Sequence, residues 1–364
     1  MIRPRATTIR TFALALGLGF AACSAQCMAS AAAAAPAAIK APEQRDVVVQ
    51  GASPVPNIGY LPLYVAEALG YFRDEGLSVK INYGQGDSAA VQELDAGQAQ
   101  IMSGTPEVIV RGYEKGLRGV LFYQIYDKLI CSVAVDQGST IKSPADLAGK
   151  TIGVASMGST AVIIAKIMAH NAHVNPDSLR FLPVGAGQQA LGALKSGQVN
   201  ALLLWDAAYS QIETAEPGLK LNYWRPKSLE NVGDGGYFTT WSEIKKQPNM
   251  LAHFSRAIAK AMVAIHRDPA KALQIYWKVN PSAKPRGTEA VAMATGLRQL
   301  RIVGQSLDLS GVPKPVDEAS LEAYVKAFKG LGIIQKAPPI QQIVTNSFIP
   351  VAAAAAKEAS EAAK

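Results

Sequence analysis

Residues 84–102 read GQGDSAAVQELDAGQAQIM, and residues 185–203 read GAGQQALGALKSGQVNALL. Ala90, Leu94, Gly97 and Gln98 of the first stretch align with Ala190, Leu194, Gly197 and Gln198 of the second, with one gap near the glycines. Each copy reads as a strand, a glycine turn, a short helix, a glycine stop and another strand. Glycine ends a helix readily because it adopts left-handed backbone angles without a steric penalty. A single repeat does not make a solenoid array. Two copies set far apart in the chain imply two lobes of similar construction.

The neighbouring segments extend this pattern. Asp46–Gln50 is a β-branched strand, and Leu61–Leu69 is apolar at helical spacing with Gly70 as terminator. Leu77–Tyr83 alternates as a strand, Val91–Ala96 is a short helix and Gln100–Met102 a strand. Strands alternating with helices indicate βαβ units and largely parallel sheets. The expected fold is therefore α/β. Leu121–Tyr126 and Ile130–Val135 carry the chain from one lobe to the other, Thr151–Ala155 is a strand of the second lobe, and 223–236, rich in Pro, Gly and Asn, returns it. Beyond that the chain turns helical: Leu251, Phe254, Ile258, Met262 and Ile265 share one face, as do Leu321, Tyr324, Val325 and Phe328. The Ala-, Glu- and Lys-rich end, 351–364, reads as a frayed helical tail.

The N-terminus addresses the compartment. Arg3, Arg5 and Arg10 precede the apolar run Phe12–Ala22, and Ala29-Ser30-Ala31 fits a cleavage site. Residues 1–31 thus read as a secretory signal, too short in its apolar part to span a bilayer. Lipidation at Cys23 is the lesser alternative, and 32–45 reads as a flexible leader. Of the 3 cysteines only Cys131 clearly remains after cleavage, so no disulfide framework and no cysteine-based zinc site can form. Cys131 sits in an apolar strand and reads as packing. The 36 Lys and Arg against 28 Asp and Glu leave a charge of +8 with no concentrated basic run, which argues against nucleic-acid binding.

Four stretches carry a resemblance: IGYLPLYVAEALGYFRDEGLSVKI (58–81), DAGQAQIMSGTPEVI (95–109), SPADLAGKTIGVASMGST (143–160) and ALGALKSGQVNALLLWDA (190–207). In this order they resemble the nitrate/sulfonate/taurine-binding and thiamine-pyrimidine-binding family of importer solute receptors. The resemblance covers about half the chain well and implies a two-lobed periplasmic binding protein fold of the second type. Each lobe would be a mainly parallel sheet flanked by helices, joined by two hinge crossings, with 46–127 and 237–350 in lobe 1 and 131–230 in lobe 2. It further implies a periplasmic monomer that binds a small organic solute (a sulfonate, taurine, a pyrimidine or an aromatic acid) and hands it to a permease and ATPase. No cofactor and no catalysis are implied. A ligand receptor feeding a sensor, and a periplasmic enzyme on the same fold, are the alternatives.

In open α/β sheets ligands gather at strand C-terminal ends. That places Asp87 and Ser88, Ser103 and Thr105, and Ser156, Gly158, Ser159 and Thr160 at the candidate site, each at a turn that opens a helix. A helix start offers free N–H groups, although Ser and Thr there also act simply as caps. Asn57 and Tyr60 precede the first helix, and Tyr60 can stack on a ligand as well as hydrogen-bond it. The family commonly places Trp and an acid where Trp205 and Asp206 stand; Ala207 replaces the proline that often follows. Tyr126, Gln188 and Tyr237 are weaker candidates. VGAGQQA (184–190) fits a dinucleotide fingerprint, with Asp206 at the ribose distance. The helix after it is very short and a secreted protein rarely meets NAD, so it is set aside. His170 and His173 lie near a helix end, where histidine meets the helix dipole, and lack the further ligands zinc needs.

Overall fold

A computed structural model describes residues 39–362 apart from residue 217. The proposed signal (1–31), Cys23, Cys27 and the first half of the leader lie outside the described residues. The chain forms two five-stranded sheets flanked by helices.

The first sheet contains β1 (Asp46–Gly51), β2 (Ser78–Tyr83), β3 (Ile101–Gly104), β4 (Gly119–Tyr126) and β10 (Gly235–Thr240), in the order β2-β1-β3-β10-β4. The second contains β5 (Cys131–Asp136), β6 (Thr151–Val154), β7 (Arg180–Pro183), β8 (Ala201–Trp205) and β9 (Leu221–Trp224), in the order β7-β6-β8-β5-β9. Each sheet is mixed in the same way. β10 runs antiparallel to both its neighbours, and so does β5. These are the first strands after the two crossings, so each lobe receives one reversed strand from the chain arriving from the other lobe. β9, which the sequence reading merged into the return crossing, is an edge strand beside β5.

The echo in the sequence is an echo in the fold. Helix Asp87–Asp95 leads through Gly97 (φ 71) into β3, and helix Gln188–Lys195 leads through Gly197 (φ 75) into β8. The first of these helices starts four residues earlier than its apolar periodicity indicated, because Asp87-Ser88 is its first turn.

Lobe 1 is closed by helices from the C-terminal part of the chain. Helix Pro248–Arg267 buries Leu251, Phe254, Ile258, Met262 and Ile265 against the first sheet. Phe254 lies at the centre, with ring centroids 5.5 Å from Phe72, 6.2 Å from Phe122 and 5.1 Å from Tyr237. Two expectations are corrected here. The C-terminal stretch is not a frayed tail: Ile349–Glu361 is a helix whose Ala352 and Ala355 are fully buried in the lobe 1 core, because alanine lets the two helices approach closely. Residues 39–45 are not a loose leader either. Glu43 accepts hydrogen bonds from the Asn249 and Met250 backbone N–H groups at 3.2 and 3.0 Å, capping helix Pro248–Arg267, and the Lys40 carbonyl meets His253 Nε2 at 2.9 Å.

The two crossings are tied to each other. Fully buried Asp234, just before β10, takes the Ile130 N–H at 2.9 Å on one carboxylate oxygen and the Tyr324 hydroxyl on the other, while its own N–H donates to the Tyr126 carbonyl at 3.2 Å. Burial pushes its carboxyl up to about 8.

Glu75 forms the largest charged cluster of lobe 1. It accepts from Lys260 Nζ at 2.5 Å and Arg256 Nε at 3.0 Å, and its other oxygen lies 2.7 Å from His253 Nδ1. Burial pushes the Glu75 carboxyl up, but the hydrogen bonds from Lys260, His253 and Arg256 outweigh this and hold it below its ordinary 4.5. A lowered carboxyl stabilises the fold above its unfolded value and loses that contribution as pH falls through the folded one. Glu75→Gln leaves Lys260 and Arg256 without their carboxylate and should cost about 3 kcal/mol near neutral pH. Urea unfolding checks this, and the gap between variant and wild type should narrow below about pH 4.

Candidate functional site

The cleft between the lobes opens onto about 680 Å3 of empty space, part of it continuous with solvent. Every turn at the C-terminal end of a central parallel strand contributes to it. After β1 come Ala52, Ser53, Pro54, Asn57 and Tyr60; at the turn that opens helix Asp87–Asp95, Gly86 and Asp87; at the end of β3, Ser103, Gly104 and Thr105; after β6, Ala155, Ser156, Ser159 and Thr160; at the end of β8, Trp205. Tyr126, Ile130 and Cys131 from the first crossing complete the lining.

Of the residues named from sequence, Asn57, Tyr60, Asp87, Ser103, Thr105, Tyr126, Ser156, Ser159, Thr160 and Trp205 are brought together here. Five are not among the lining residues. Ser88 and Gly158 meet each other instead: the Ser88 N–H donates to the Gly158 carbonyl at 3.3 Å, joining the lobes beside the cavity. Gln188 is exposed on lobe 2, away from the lining. Tyr237 is fully buried in the lobe 1 core against Tyr123 and Phe254. Asp206 starts helix Asp206–Ala215, where one oxygen accepts from Arg225 at 2.5 Å and the other from Ser306 at 2.7 Å. Burial pushes its carboxyl up and the Arg225 charge opposes that. Both oxygens are engaged by these side chains, so Asp206 ties lobe 2 to Ser306 beyond helix Glu289–Val303.

The aromatic side chains are fixed by backbone partners. The Tyr60 hydroxyl accepts the Ser53 N–H at 2.7 Å, and Tyr126 donates to the Gly59 carbonyl at 3.0 Å. Gly51 makes room for the first: a Cβ there would lie 2.6 Å from the Tyr60 hydroxyl. The Asn57 amide oxygen accepts the Gly59 N–H at 2.8 Å, capping the short turn Ile58–Tyr60. Trp205 packs against all three buried apolar clusters while keeping part of its surface in the cleft.

The polar side of the cleft is a buried network. Asp87 Oδ1 accepts from the Thr105 N–H at 3.0 Å and the Thr105 hydroxyl at 3.1 Å. Thr105 and Thr160 hydroxyls lie 2.6 Å apart across the lobes, and Thr160 also reaches Glu107 Oε2 at 3.1 Å. Arg111 Nε donates to Glu107 Oε1 at 2.6 Å. Burial pushes both carboxyls up, against the Thr105 bonds at Asp87 and against Arg111 at Glu107. No Lys, Arg or His side chain is among the lining residues, and Asp87 is their one carboxylate. Burial also pushes the Cys131 thiol up, so it stays protonated. Among the described residues no group of His, Cys, Asp and Glu is arranged to hold a metal ion. His173 instead takes the left-handed angle (φ 59) just beyond helix Ala161–Asn171.

Sequence reasoning missed Ser53 and Pro54, although they follow a strand end as the other turns do. It also missed Glu107 and Arg111, whose i,i+4 spacing on a short helix looks like an ordinary surface pair.

The family model described as NMT1/THI5 like matches residues 57–272. The chain is 22% identical over 349 residues to the riboflavin-binding protein RibY of Chloroflexus aurantiacus, covering 94% of this chain and 97% of that protein. A protein of Bordetella bronchiseptica shares the fold with a TM-score of 0.72 and 24% identity, over 89% of this chain and 99% of that one. The alkanesulfonate-binding protein SsuA of Xanthomonas axonopodis pv. citri, solved bound to MOPS, does so with a TM-score of 0.66 and 15% identity, over 84% and 99%. The model match spans more than half of the sequence and includes every turn that lines the cleft except the one immediately after β1, so this chain belongs to the NMT1/THI5-like family.

Proposed function

We propose that this protein is the solute-binding component of an ABC-type importer, working in the periplasm, and that it closes over a flat, uncharged organic solute. The carrying observation is the lining of the cleft. Tyr60, Tyr126 and Trp205 provide aromatic surface, and Ser53, Asn57, Ser103, Thr105, Ser156 and Ser159 provide neutral hydrogen-bonding groups, with no cation. Aromatic faces take up planar rings, and fixed neutral donors and acceptors orient them.

The same lining separates ligand classes. A sulfonate stays ionised at any physiological pH. Burying it beside Asp87 without an arginine or lysine would leave an uncompensated charge in a low-dielectric site. The sulfonate and taurine readings are therefore the less favoured ones, and pyrimidines and larger heteroaromatic solutes the more favoured. The name of the RibY relative supplies a concrete probe of that kind, riboflavin. The partners of this reading are a membrane permease and its ATPase. Among the described residues no helix is long and apolar enough to cross a membrane.

Two outcomes are expected with the purified protein. In a thermal-shift screen, riboflavin or a pyrimidine at about 100 times its dissociation constant adds about 2.7 kcal/mol of stability, a shift of a few degrees, while taurine and alkanesulfonates add none. A shift with the sulfonates alone would overturn the ligand class. Trp205→Ala should weaken binding of the ligand so found by about tenfold, the loss of about 1.4 kcal/mol of aromatic contact. Titration followed by fluorescence reads this directly.

A further inference from the structure

The network beside the cleft contains too few hydrogens for its bonds. Asp87, Thr105 and Glu107 belong to lobe 1, and Thr160 reaches them from lobe 2; all four are buried. Four oxygens form a chain: Asp87 Oδ1 to Thr105 Oγ1 at 3.1 Å, Thr105 Oγ1 to Thr160 Oγ1 at 2.6 Å, and Thr160 Oγ1 to Glu107 Oε2 at 3.1 Å. Each of these three links requires a hydrogen. The two hydroxyls supply two. Without a third, the 2.6 Å contact or one of its neighbours sets lone pair against lone pair.

Charge gives the same answer independently. The chain ends in two carboxyls, and the cation that meets them is Arg111, 2.6 Å from Glu107 Oε1. Two buried carboxylates against one guanidinium leave a net negative charge in a dry site; one added proton makes the set neutral. We propose that Asp87 and Glu107 share one proton through the hydroxyls of Thr105 and Thr160, and that Glu107 is thereby a positioning residue that makes lobe closure strengthen as pH falls. The proton belongs to the pair: Arg111 favours the ionised form at Glu107, and the Thr105 donors favour it at Asp87. This deepens the solute-binding reading and rests on it only for the closing motion.

The direction follows from which groups separate. Opening withdraws Thr160, exposes both carboxyls to water and returns them to ordinary values, so both ionise at neutral pH. Closure then takes up one proton. The closing equilibrium gains at most tenfold for each pH unit of acidification, between the range to which burial raises the pair and the ordinary carboxyl range. Other ionisable groups face the pair. Arg111 stands on its own helix, Tyr324 of helix Glu318–Gly330 faces Glu107, and Tyr60, Cys131 and Asp234 face Asp87. Helix Ala161–Asn171 brings no acid in its first turn. Burial raises Tyr60, Cys131 and Tyr324, which stay neutral. Asp234 can titrate as well, and the variants below leave it in place.

The test uses the ligand-free protein. Its infrared spectrum at about pH 6, taken as the difference from Glu107→Gln so that the Asp234 band cancels, should contain a protonated-carboxyl C=O band, since the amide of the variant supplies the missing hydrogen. The radius of gyration by X-ray scattering should fall between about pH 8 and about pH 5.5 in the wild type, and fall less in Glu107→Gln, where Asp234 alone remains to respond. Thr160→Val dismantles the two links that need the extra proton but leaves two carboxyls against Arg111, so it should shift that band and weaken the pH response, and the test survives if the Gln variant misfolds. A difference spectrum without the band, or a pH response in both variants as large as the wild type's, overturns the proposal. Riboflavin titration is a separate arm. Failure of both riboflavin and the pyrimidines to bind while band and pH response persist overturns the ligand reading and supports the shared proton.

Discussion

Each lobe depends on an antiparallel strand that enters it straight from a crossing. β10 is inserted antiparallel between β3 and β4, and β5 between β8 and β9, each immediately after a crossing. Hydrogen bonding within the two sheets therefore fixes both ends of both crossings, and the cleft can only lie beside them. Asp234 reinforces this constraint by holding Ile130, Tyr126 and Tyr324 together in a fully buried position. A motion of the lobes must be taken up within a few residues on either side of that carboxylate. Ile130 and Cys131, which line the cavity, are among them.

The cleft is asymmetric in its chemistry. Its aromatic side is built from rigid partners: Tyr60 on Ser53, Tyr126 on Gly59, Trp205 wedged among three apolar clusters. Its polar side is the contact between lobes, where a Cβ at Gly86 would lie 2.8 Å from the Gly158 carbonyl carbon. Gly86 holds φ 101, so a side chain there would be both strained and obstructive. Recognition and closure thus draw on neighbouring atoms, and a ligand that touches Asp87 touches the latch.

Much of this was legible in the sequence because it rests on local rules. Glycine stops at Gly97 and Gly197, the βα turns at 156–160 and 103–105, and the apolar face of helix Pro248–Arg267 all follow from backbone preference and periodicity. What escaped depends on pairings distant in sequence. Asp206 looked like a ligand contact until Arg225 and Ser306 were seen on its two oxygens, 19 and 100 residues away. Tyr237 looked like a cleft residue, but its β10 register opposite Tyr123 turns it into the core with Phe254. The Ala-rich terminus looked like a frayed helix because alanine carries almost no hydrophobic signal, although small size is what lets it pack closely.

The placement of the last helix also sets an order of assembly. Lobe 2, from β5 to β9, is one unbroken stretch of chain whose sheet partners all lie within it. Lobe 1 needs β1 from the beginning, β10 from the middle and helix Ile349–Glu361 from the end. Its contacts close much longer loops, which slows their formation. A chain emerging N-terminus first can complete lobe 2 while the first sheet still waits for its final helix, so lobe 1 remains open to proteolysis and misassembly for longest.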